Sequence, residues 1–403
     1  MTMQAETTML QSPAIGPDGD IAVWRATLSG LCATLVGIGL ARFAYTPLIP
    51  VLIAAQWFTP SQAAYLGAAN LAGYLAGALS ARPLAARVHR TVVLRAMMLL
   101  ATAAFLACAA PLSFAWFSAW RFSAGLAGGV LMVLAAPTVL AHVPAARRGI
   151  VGGAIFTGVG LGIAASGTLV PLLLMLGLAQ TWCGLGAVAL ALTIVAWGGW
   201  PADQPHRNDA PTRAPHPSGD PRLNALYVEY ALTAVGQVPH MVFLVDFVAR
   251  GLGRGLGEGA FAWVLFGLGA MVGPTLTGHL ADRIGFGSAL RVAFAVQAVF
   301  VGALAVATGS GWLIASSIVV GAAVPGVVPL ALGRVHELTH DHETRAAGWR
   351  SATIAFAVGQ ASAAYAYSYL FAQTGSYVML YAIAAGVLML ALATDLAMAR
   401  GSR

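Results

Sequence analysis

Three uncharged stretches of the sequence are too long to fold as ordinary core helices. No aspartate, glutamate, lysine or arginine occurs in residues 149–202, 292–333 or 351–394. About 20 apolar residues cross the hydrocarbon core of a bilayer, so a run of twice that length predicts a helical hairpin. Turn-forming residues interrupt each run once, near Gln180, at 308–311 and at 373–376. Each stretch is therefore predicted to hold two membrane-spanning helices.

The composition places the whole chain in the membrane class. Hydrophobic residues make up 59% of the 403 residues and charged residues only 9%, with 47 glycines, which is unusual for a globular domain. The arginines behind the net charge of +7 lie in short loops, so the charge is a topology signal and no nucleic-acid partner is expected. The 3 cysteines lie in apolar segments, and no metal-ligand spacing or phosphate-binding loop occurs. No metal and no cofactor is expected.

Twelve membrane-spanning helices are predicted when the remaining apolar segments are added. Their expected bounds are 25–54, 61–85, 91–110, 113–140, 149–175, 180–200, 223–249, 258–281, 286–307, 311–333, 347–372 and 375–398. Residues 1–24 lack the pattern of a signal peptide and are expected to form a flexible cytoplasmic tail, as are residues 400–403. The proline-rich segment 201–222 predicts a solvated linker between six-helix bundles at 25–200 and 223–399. The predicted fold class is an all-α polytopic membrane protein.

Arginines are concentrated in the loops on one side of the predicted membrane domain. That side holds Arg82, Arg87, Arg90, Arg147, Arg148, Arg207, Arg213, Arg222, Arg283, Arg345, Arg400 and Arg403. The opposite side has only Arg250 and Arg254. The positive-inside rule therefore predicts that both termini lie in the cytoplasm.

One positive charge, Arg42, lies deep inside the first apolar segment, GIGLARFAYTPLIP, Gly37–Pro50. A charge near the middle of a spanning helix costs a few kcal/mol or more, so it usually faces an aqueous cavity or a partner. Tyr45 follows it at i+3 on the same face. The alternative is a side chain that reaches the interface, but Arg42 lies 17 residues beyond Arg25, roughly 25 Å at helical rise. We therefore expect Arg42 to line a cavity.

The two halves of the chain carry related loops after their second helices. GALSAR, Gly77–Arg82, and GHLADR, Gly278–Arg283, match at glycine, leucine and arginine with a shift of 201 residues, which favours a duplicated six-helix unit. The longer segment GHLADRIGFGSALR, Gly278–Arg291, resembles the signature loop between helices 8 and 9 of the major facilitator superfamily. Gly37–Pro50 and the glycine-rich GVGLGIAASG of helix 5, Gly158–Gly167, are similar to the YbfB/YjiJ-like bacterial branch of that superfamily.

This resemblance implies a secondary transporter of the bacterial inner membrane, with two six-helix bundles (the MFS fold) around a central cavity. It assigns a conformational latch to Asp282 and Arg283, whereas the matching acidic position of the first half is Ala81. Helix 5 has the glycines of the antiporter-type motif but lacks its Gly-Pro pair. The match to antiporters is therefore incomplete.

Arg42 and Arg121 are predicted to lie at similar depths, with Arg121 eight residues into helix 4. The resemblance implies that helices 1 and 4 line the central cavity, and neither arginine has an acid nearby in sequence. Two guanidinium groups repel unless an anion binds between them in the bidentate geometry that arginine favours, so we expect a carboxylate site. The alternative is that carbonyls, water or an acid of another helix neutralise each one. Further candidates for substrate contact are Tyr45, Asn70, Tyr74, Gln237, His240, Gln360 and Tyr365.

Helix 7 is the second helix with several polar residues. Glu229 is expected near the cytoplasmic side, where it either binds the coupling proton or caps an entrance. His240, beside Pro239, is a candidate for substrate binding or proton relay, and the alternative is a hydrogen-bonded structural histidine. Asp246 and Arg250 are spaced i, i+4, which predicts an ion pair on the helix surface or, as a bolder hypothesis, a periplasmic gate.

The predicted function is proton-coupled transport of a small organic anion whose carboxylate is held by Arg42 and Arg121. The rival hypothesis is proton-coupled export of drug-like or cationic compounds. An intramembrane enzyme would need a nucleophile, a base and an orienting residue on facing helices, and a sensor would usually add a signalling domain; the sequence indicates neither. The expected partners are a small carboxylate, protons and the lipid bilayer, and a monomer is expected.

Overall fold

The structure, a computed structural model, describes residues 17–144, 147–201, 220–307, 309–339 and 341–400, which are almost entirely helical. Within these ranges there are twelve long helices and no strand. In chain order they are α1 (Pro17–Thr34, continued by shorter turns to Ala54), α2 (Pro60–Ala85), α3 (Arg90–Ala107), α4 (Phe114–Leu140), α5 (Arg148–Leu174), α6 (Leu178–Ala196), α7 (Pro221–Asp246), α8 (Gly255–Ile284), α9 (Phe286–Val306), α10 (Ser310–Leu338), α11 (His342–Thr374) and α12 (Tyr377–Arg400).

Several predicted segments fall largely outside the described residues. The linker predicted at 201–222 is described only at its ends, the tail at 400–403 only at Arg400, and residues 1–16 of the N-terminal tail lie outside altogether. The rest of that tail is helical, because α1 begins at Pro17, eight residues before the predicted start at Arg25. Proline suits a helix start, where its missing N–H would have no helical partner.

Ten of the described helices are long and apolar enough to cross a membrane. The other two, α2 and α11, have 26 and 33 residues, which also exceeds the roughly 20 residues that a span needs. They are more polar, with Asn70 on α2 and Gln360 on α11 both buried. These two helices pack against each other, one from each half. The chain is an all-α polytopic membrane protein, and the predicted fold class is confirmed.

α1 changes its helical geometry midway along its length. A π-helical turn at Leu35–Leu40 is followed by a 3₁₀ turn at Phe43–Leu48, and the α-helix resumes at Ile49–Ala54. Pro47 lies inside the second turn and has no N–H to give to the helical ladder. The carbonyl groups of the two residues between these turns accept hydrogen bonds from another helix, as described below.

The two halves pack their helices in the same way. In the N-terminal half α2 lies along α4, and in the C-terminal half α8 lies along α10. An added Cβ at Gly73 of α2 would collide with the Phe122 backbone, and one at Gly273 of α8 would collide with the Ala322 backbone. Both glycines belong to small-xxx-small pairs, which permit close helix approach. Equivalent contacts on equivalent helices agree with a duplicated six-helix unit.

Successive helices run in opposite directions, so their turns fall at two ends of the bundle. The end at which α1 begins and α12 ends is called the terminal end here, and the opposite end is called the loop end. The halves meet chiefly through α5 with α8 and α2 with α11, and through the irregular part of α1 with α7. The position of these contacts decides which end of the bundle is closed.

The contact between α5 and α8 is restricted to the loop end and the middle of the bundle. An added Cβ at Gly167 would lie 3.1 Å from the Val264 nitrogen, and one at Gly160 would lie 2.7 Å from the Met271 nitrogen. Seven residues further toward the terminal end, on the same helix faces, Gly153 and Gly278 have no atom within 4 Å of an added Cβ. The two helices therefore diverge, and the halves are joined at the loop end and separated at the terminal end.

Candidate functional site

Arg121, on α4, is a buried cation held by main-chain carbonyls. The residue is 2% exposed. Its Nη1 donates to the Ala41 carbonyl at 2.9 Å and its Nη2 to the Arg42 carbonyl at 3.5 Å. The guanidinium carbon lies 4.3 Å from the Tyr45 ring centroid, a cation–π contact. Because both carbonyls lie between the irregular turns of α1, Arg121 ties α4 to the break in that helix.

Arg42 contacts the opposite half of the molecule. Its Nη2 donates to Oε1 of Gln360 on α11 at 2.7 Å and lies 3.9 Å from Sδ of Met241 on α7. The guanidinium carbon lies 5.0 Å from the ring centroids of both Phe43 and Tyr74. These hydrogen-bond and aromatic partners are all uncharged, so Arg42 is surrounded by weak acceptors and π-faces without a counter-charge.

Both arginines line one small cavity between α1, α2, α4 and α7. Its other lining residues are Phe43, Tyr45, Thr46, Gly67, Asn70, Leu71, Met241 and Val242. The cavity volume is about 20 Å³, which is room for about one water molecule. None of the lining residues is acidic, and no ion pair among the described residues includes Arg42 or Arg121. The Nε of each arginine is buried without a hydrogen-bond partner.

Asn70 and Tyr45 hold the backbone around the two arginines. The Asn70 Nδ2 donates to the Arg121 carbonyl at 3.0 Å, and its Oδ1 is buried without a partner. The Tyr45 hydroxyl donates to the Ala63 carbonyl at 2.8 Å, which fixes the ring over which Arg121 lies. The structure thus brings together five of the residues that the sequence singled out, Arg42, Tyr45, Asn70, Tyr74 and Arg121, with Gln360 reaching them from α11.

Two other predicted substrate contacts, Gln237 and His240, lie inside the C-terminal half and do not line this cavity. Gln237 donates from Nε2 to Oε1 of Gln297 on α9 at 2.8 Å. His240 Nε2 lies 2.8 Å from the Ser316 hydroxyl, which itself donates to the Phe300 carbonyl at 2.7 Å. A hydroxyl has one proton to donate, so the geometry assigns the donor role to His240 Nε2. Both side chains are fully buried, in the manner of structural polar groups.

Asp246 and Arg250 form the predicted i, i+4 ion pair, with 3.1 Å between Nε and Oδ1, although the atoms are not aligned as a hydrogen bond. The second oxygen of Asp246 accepts a hydrogen bond from the Tyr377 hydroxyl on α12 at 2.5 Å. Asp246 is 1% exposed. These contacts join α7 to α12 within one half. They do not cross between halves, as a gate residue at this end would be expected to do.

A second polar cavity lies at the terminal end of the C-terminal half. The cavity volume is about 100 Å³. The charged lining residues are Glu229 of α7, Arg291 of α9, Arg334 of α10 and Asp395 of α12, together with Arg222. Glu229 is 3% exposed. Asp395 pairs with Arg291, and Arg334 pairs with Glu337 outside the cavity. No hydrogen bond or ion pair of the Glu229 carboxylate occurs among the described residues.

The remaining predicted residues lie away from both cavities. Asp282 and Arg283 are exposed in the last turn of α8, and neither takes part in an ion pair among the described residues. A latch at these residues is therefore not engaged in this conformation. Tyr365 is 42% exposed, and its ring centroid lies 6.2 Å from that of Tyr65 on α2. It belongs to the contact between halves.

Some residues of the two cavities carried no strong sequence signal. Met241 borders the arginine cavity, and its carbonyl accepts a hydrogen bond from Thr46 at 2.7 Å; both residue types are common in apolar helices. Asp395 is marked in the sequence only as the acid that ends the uncharged stretch 351–394. Arg291 is the last residue of the signature loop and is the ion-pair partner of Asp395.

Comparison with known proteins matches most of the chain to one family. A family model described as an uncharacterised MFS-type transporter, YbfB, matches residues 34–396. A search of curated proteins finds no match. The matched range begins just before the irregular part of α1 and ends just past Asp395, so it includes every lining residue of the first cavity and all the charged lining residues of the second.

Proposed function

Because the chain belongs to the YbfB family of MFS-type transporters, we propose that it carries a small organic anion across the bacterial inner membrane in exchange with, or together with, protons. Both termini lie in the cytoplasm in this proposal, as the distribution of arginines favours. Transport proceeds by alternating access, with the two halves closing first at one end and then at the other.

The single observation that carries the anion assignment is the charge of the cavity beside Arg42 and Arg121. Arg121, which is buried, and Arg42, which is half-buried, line it; each has a buried Nε without a hydrogen-bond partner, and no acidic residue lines the cavity. A buried charge without a partner is costly, by several kcal/mol. A carboxylate relieves that cost because it accepts charge-assisted hydrogen bonds, about twice as strong as neutral ones, in bidentate geometry.

The roles of the two arginines differ in this proposal. Arg121 uses both terminal nitrogens on the carbonyls of α1, so it supplies positive charge and holds the break in that helix. Arg42 has only one close hydrogen bond, to Gln360, so it is the group that binds the substrate directly. Since the cavity now has room for about one water, substrate binding requires the halves to separate around it.

Glu229 is the residue proposed to bind the coupling proton. It is buried, it faces the larger cavity, and that cavity opens toward the terminal end, where the halves are apart. His240 is a poorer candidate, because its ring is enclosed by Ser316 and by Tyr381 at 5.1 Å between ring centroids. Neutralisation of Glu229 by a proton would change the charge around the Arg291–Asp395 pair.

Ligand-induced stabilisation tests the anion assignment. The purified protein is heated with small mono- and dicarboxylates, amino acids and lipophilic cations, and the midpoint of unfolding is compared for wild type, Arg42→Gln and Arg121→Gln. A ligand at 100 times its dissociation constant adds about 2.7 kcal/mol of stability. We expect carboxylates to stabilise wild type and neither variant.

A matched control is available in Arg95→Gln. Arg95 also donates to a carbonyl, that of Trp197, and lies over its ring at 4.9 Å, but on the exposed side of α3. This variant should respond to carboxylates as wild type does. Stabilisation by lipophilic cations alone, or an equal carboxylate response in Arg42→Gln, would instead favour export of cationic compounds.

A further inference from the structure

Resting on the proposed anion site, we propose that Gln360 occupies the position of the substrate carboxylate at Arg42, and that substrate entry opens the loop end by displacing it. Gln360 is thereby a positioning residue that senses the substrate. The inference concerns how binding is converted into movement, which the presence of an anion site alone does not explain.

The hydrogen bond between Arg42 and Gln360 differs from the other bonds that join the halves. Among the described residues, the hydrogen bonds that cross between halves are Arg42 to Gln360 at 2.7 Å, Arg42 to the Met241 sulfur at 3.9 Å, Thr46 to the Met241 carbonyl at 2.7 Å and Trp263 to Ser166 at 3.0 Å. Only the bonds of Arg42 use a charged group, and only Gln360 gives Arg42 an oxygen acceptor. No ion pair between halves occurs in the same ranges.

A substrate carboxylate and Gln360 compete for the same donor. The Gln360 carboxamide offers one neutral oxygen to Arg42 and is 2% exposed, with its Nε2 3.5 Å from the Met241 sulfur. A carboxylate offers two charged oxygens and can engage the unpaired Nε of Arg42 as well. The arginine therefore gains by exchanging the amide for the anion.

Because the cavity is small, the exchange of Gln360 for a carboxylate requires helices to move. The cavity beside Arg42 holds about one water, so a carboxylate cannot bind while the Gln360 amide keeps its place. Gln360 lies on α11, which packs on α2, and Tyr65 and Tyr365 of these helices meet nearby. Once Arg42 releases Gln360, the bonds left between the halves are the weak contact of Arg42 with the Met241 sulfur and two hydrogen bonds between uncharged groups.

Substitutions at Gln360 test the competition even without a ligand. Gln360→Glu supplies a tethered carboxylate of nearly the same shape, which should pair with Arg42, hold the loop end closed and abolish stabilisation by added carboxylates. Gln360→Leu removes the acceptor at similar volume and should weaken closure. Gln360→Asn keeps the amide but is too short to reach Arg42, so it serves as a second variant if Gln360→Leu does not fold.

Ser166→Ala is the matched control, because it removes the hydrogen bond that Trp263 donates across the halves and leaves both hydrogen-bond partners of Arg42 in place. It should loosen the loop end modestly while leaving its response to carboxylates unchanged. Folding of each variant is checked by monodisperse elution in detergent.

The distance across the loop end is measured by double electron–electron resonance between spin labels at Met175→Cys and Val306→Cys. These residues are 83% and 87% exposed, one in each half, and the label-accessible Cys183 is replaced by alanine. Without ligand, we expect Gln360→Leu and Gln360→Asn to raise the fraction of molecules with a longer separation about tenfold, the usual effect of losing a hydrogen bond to a charged group. Gln360→Glu should lower that fraction.

The outcomes distinguish the role of the Arg42–Gln360 contact from that of the anion site. An unchanged distance distribution in both Gln360→Leu and Gln360→Asn would overturn the inference. So would a wild-type protein that benzoate or succinate stabilises against heat without any lengthening of the distance. If neither benzoate nor succinate stabilises wild type and Arg42→Gln behaves identically, the proposed anion site is wrong. The ligand-free distances still test whether the Arg42–Gln360 contact holds the loop end closed.

Discussion

The two cavities, one beside Arg42 and Arg121 and the other beside Glu229, differ in the charges of their lining residues. The first has two cations, no acidic lining residue and about 20 Å³ of space; the second has arginines and acids together and about 100 Å³. Twelve residues of α7 separate Glu229 from Met241, roughly 18 Å at helical rise. The first cavity lacks a counter-charge that a substrate can supply, whereas the second has two acids, Glu229 and Asp395, beside its three arginines.

This difference suggests separate places for the substrate and the proton. A carboxylate bound beside Arg42 would not share a cavity with Glu229, so coupling between the two sites would act through α7, the helix that lines both cavities. The predictions below are designed to test whether the two cavities have these separate roles.

The largest effect is expected for Arg42→Gln. Loss of two charge-assisted hydrogen bonds to the substrate should lower carboxylate transport at least about 100-fold, since each such bond is worth roughly 1.5–3 kcal/mol and each 1.4 kcal/mol is about tenfold. Counterflow of a labelled carboxylate in proteoliposomes measures it. Arg95→Gln should stay within about twofold of wild type. Equal rates for Arg42→Gln and wild type would remove the reason for treating the first cavity as a substrate site.

Glu229→Gln should impair proton-driven accumulation of the carboxylate but not carboxylate exchange. With the titrating carboxyl replaced by an amide, proton-driven accumulation should fall about tenfold or more, while counterflow, which needs no net proton movement, should stay near wild type. The control is Glu258→Gln, whose carboxylate is 59% exposed and pairs with Arg254. Accumulation that survives in Glu229→Gln would show that the proton binds elsewhere.

Asp395→Asn should cost stability in the second cavity. It leaves Arg291, which is 31% exposed and paired only with Asp395 among the described ion pairs, without its counter-charge. We expect a loss of about 1–3 kcal/mol, visible as a lower unfolding midpoint in detergent. Glu337→Gln breaks the more exposed Arg334 pair and should cost less than about 1 kcal/mol. Equal losses in the two variants would mean that the second cavity is ordinary protein surface.

The smallest effect on stability is expected for Gly153→Ala, and its comparison with Gly160→Ala is informative. An added methyl at Gly160 would meet the Met271 backbone at 2.7 Å, whereas Gly153 has open space. Gly160→Ala should lower the unfolding midpoint, by about 1–3 kcal/mol in free energy, and Gly153→Ala should leave it unchanged or slightly higher. If the terminal end closes during transport, Gly153→Ala should nevertheless slow carboxylate counterflow. An unaffected rate would argue against closure at that face.

Much of the fold could be predicted because membrane spans obey a simple length and hydropathy rule. The uncharged stretches predicted helical hairpins, and α5 with α6, α9 with α10 and α11 with α12 are such pairs. Arg42 and Arg121 could be singled out because a charge is conspicuous in an apolar helix. Their shared cavity was predicted from estimated depth together with the family resemblance, which implied that helices 1 and 4 line the cavity. The hydrogen bond of Arg121 to the Arg42 carbonyl agrees with their similar depth.

Side-chain direction could not be predicted in the same way. Gln237 and His240 lie on α7 near Met241, yet they are bonded to α9 and α10 and only Met241 borders the arginine cavity. Packing among four helices decides which face of α7 contacts which neighbour. The sequence of a weakly amphipathic membrane helix gives little indication of that packing. The contact of Arg42 with Gln360, 318 residues away, had no local signal at all.

Simultaneous measurement of carboxylate and proton movement in one preparation of proteoliposomes tests the division between the two cavities most directly. A pH-sensitive dye inside the vesicles reports protons while labelled carboxylate is followed outside. We expect wild type to move both, Glu229→Gln to exchange carboxylate without moving protons, and Arg42→Gln to move neither in response to carboxylate. Carboxylate-dependent proton movement in Glu229→Gln, or carboxylate exchange in Arg42→Gln at the wild-type rate, would contradict separate anion and proton sites.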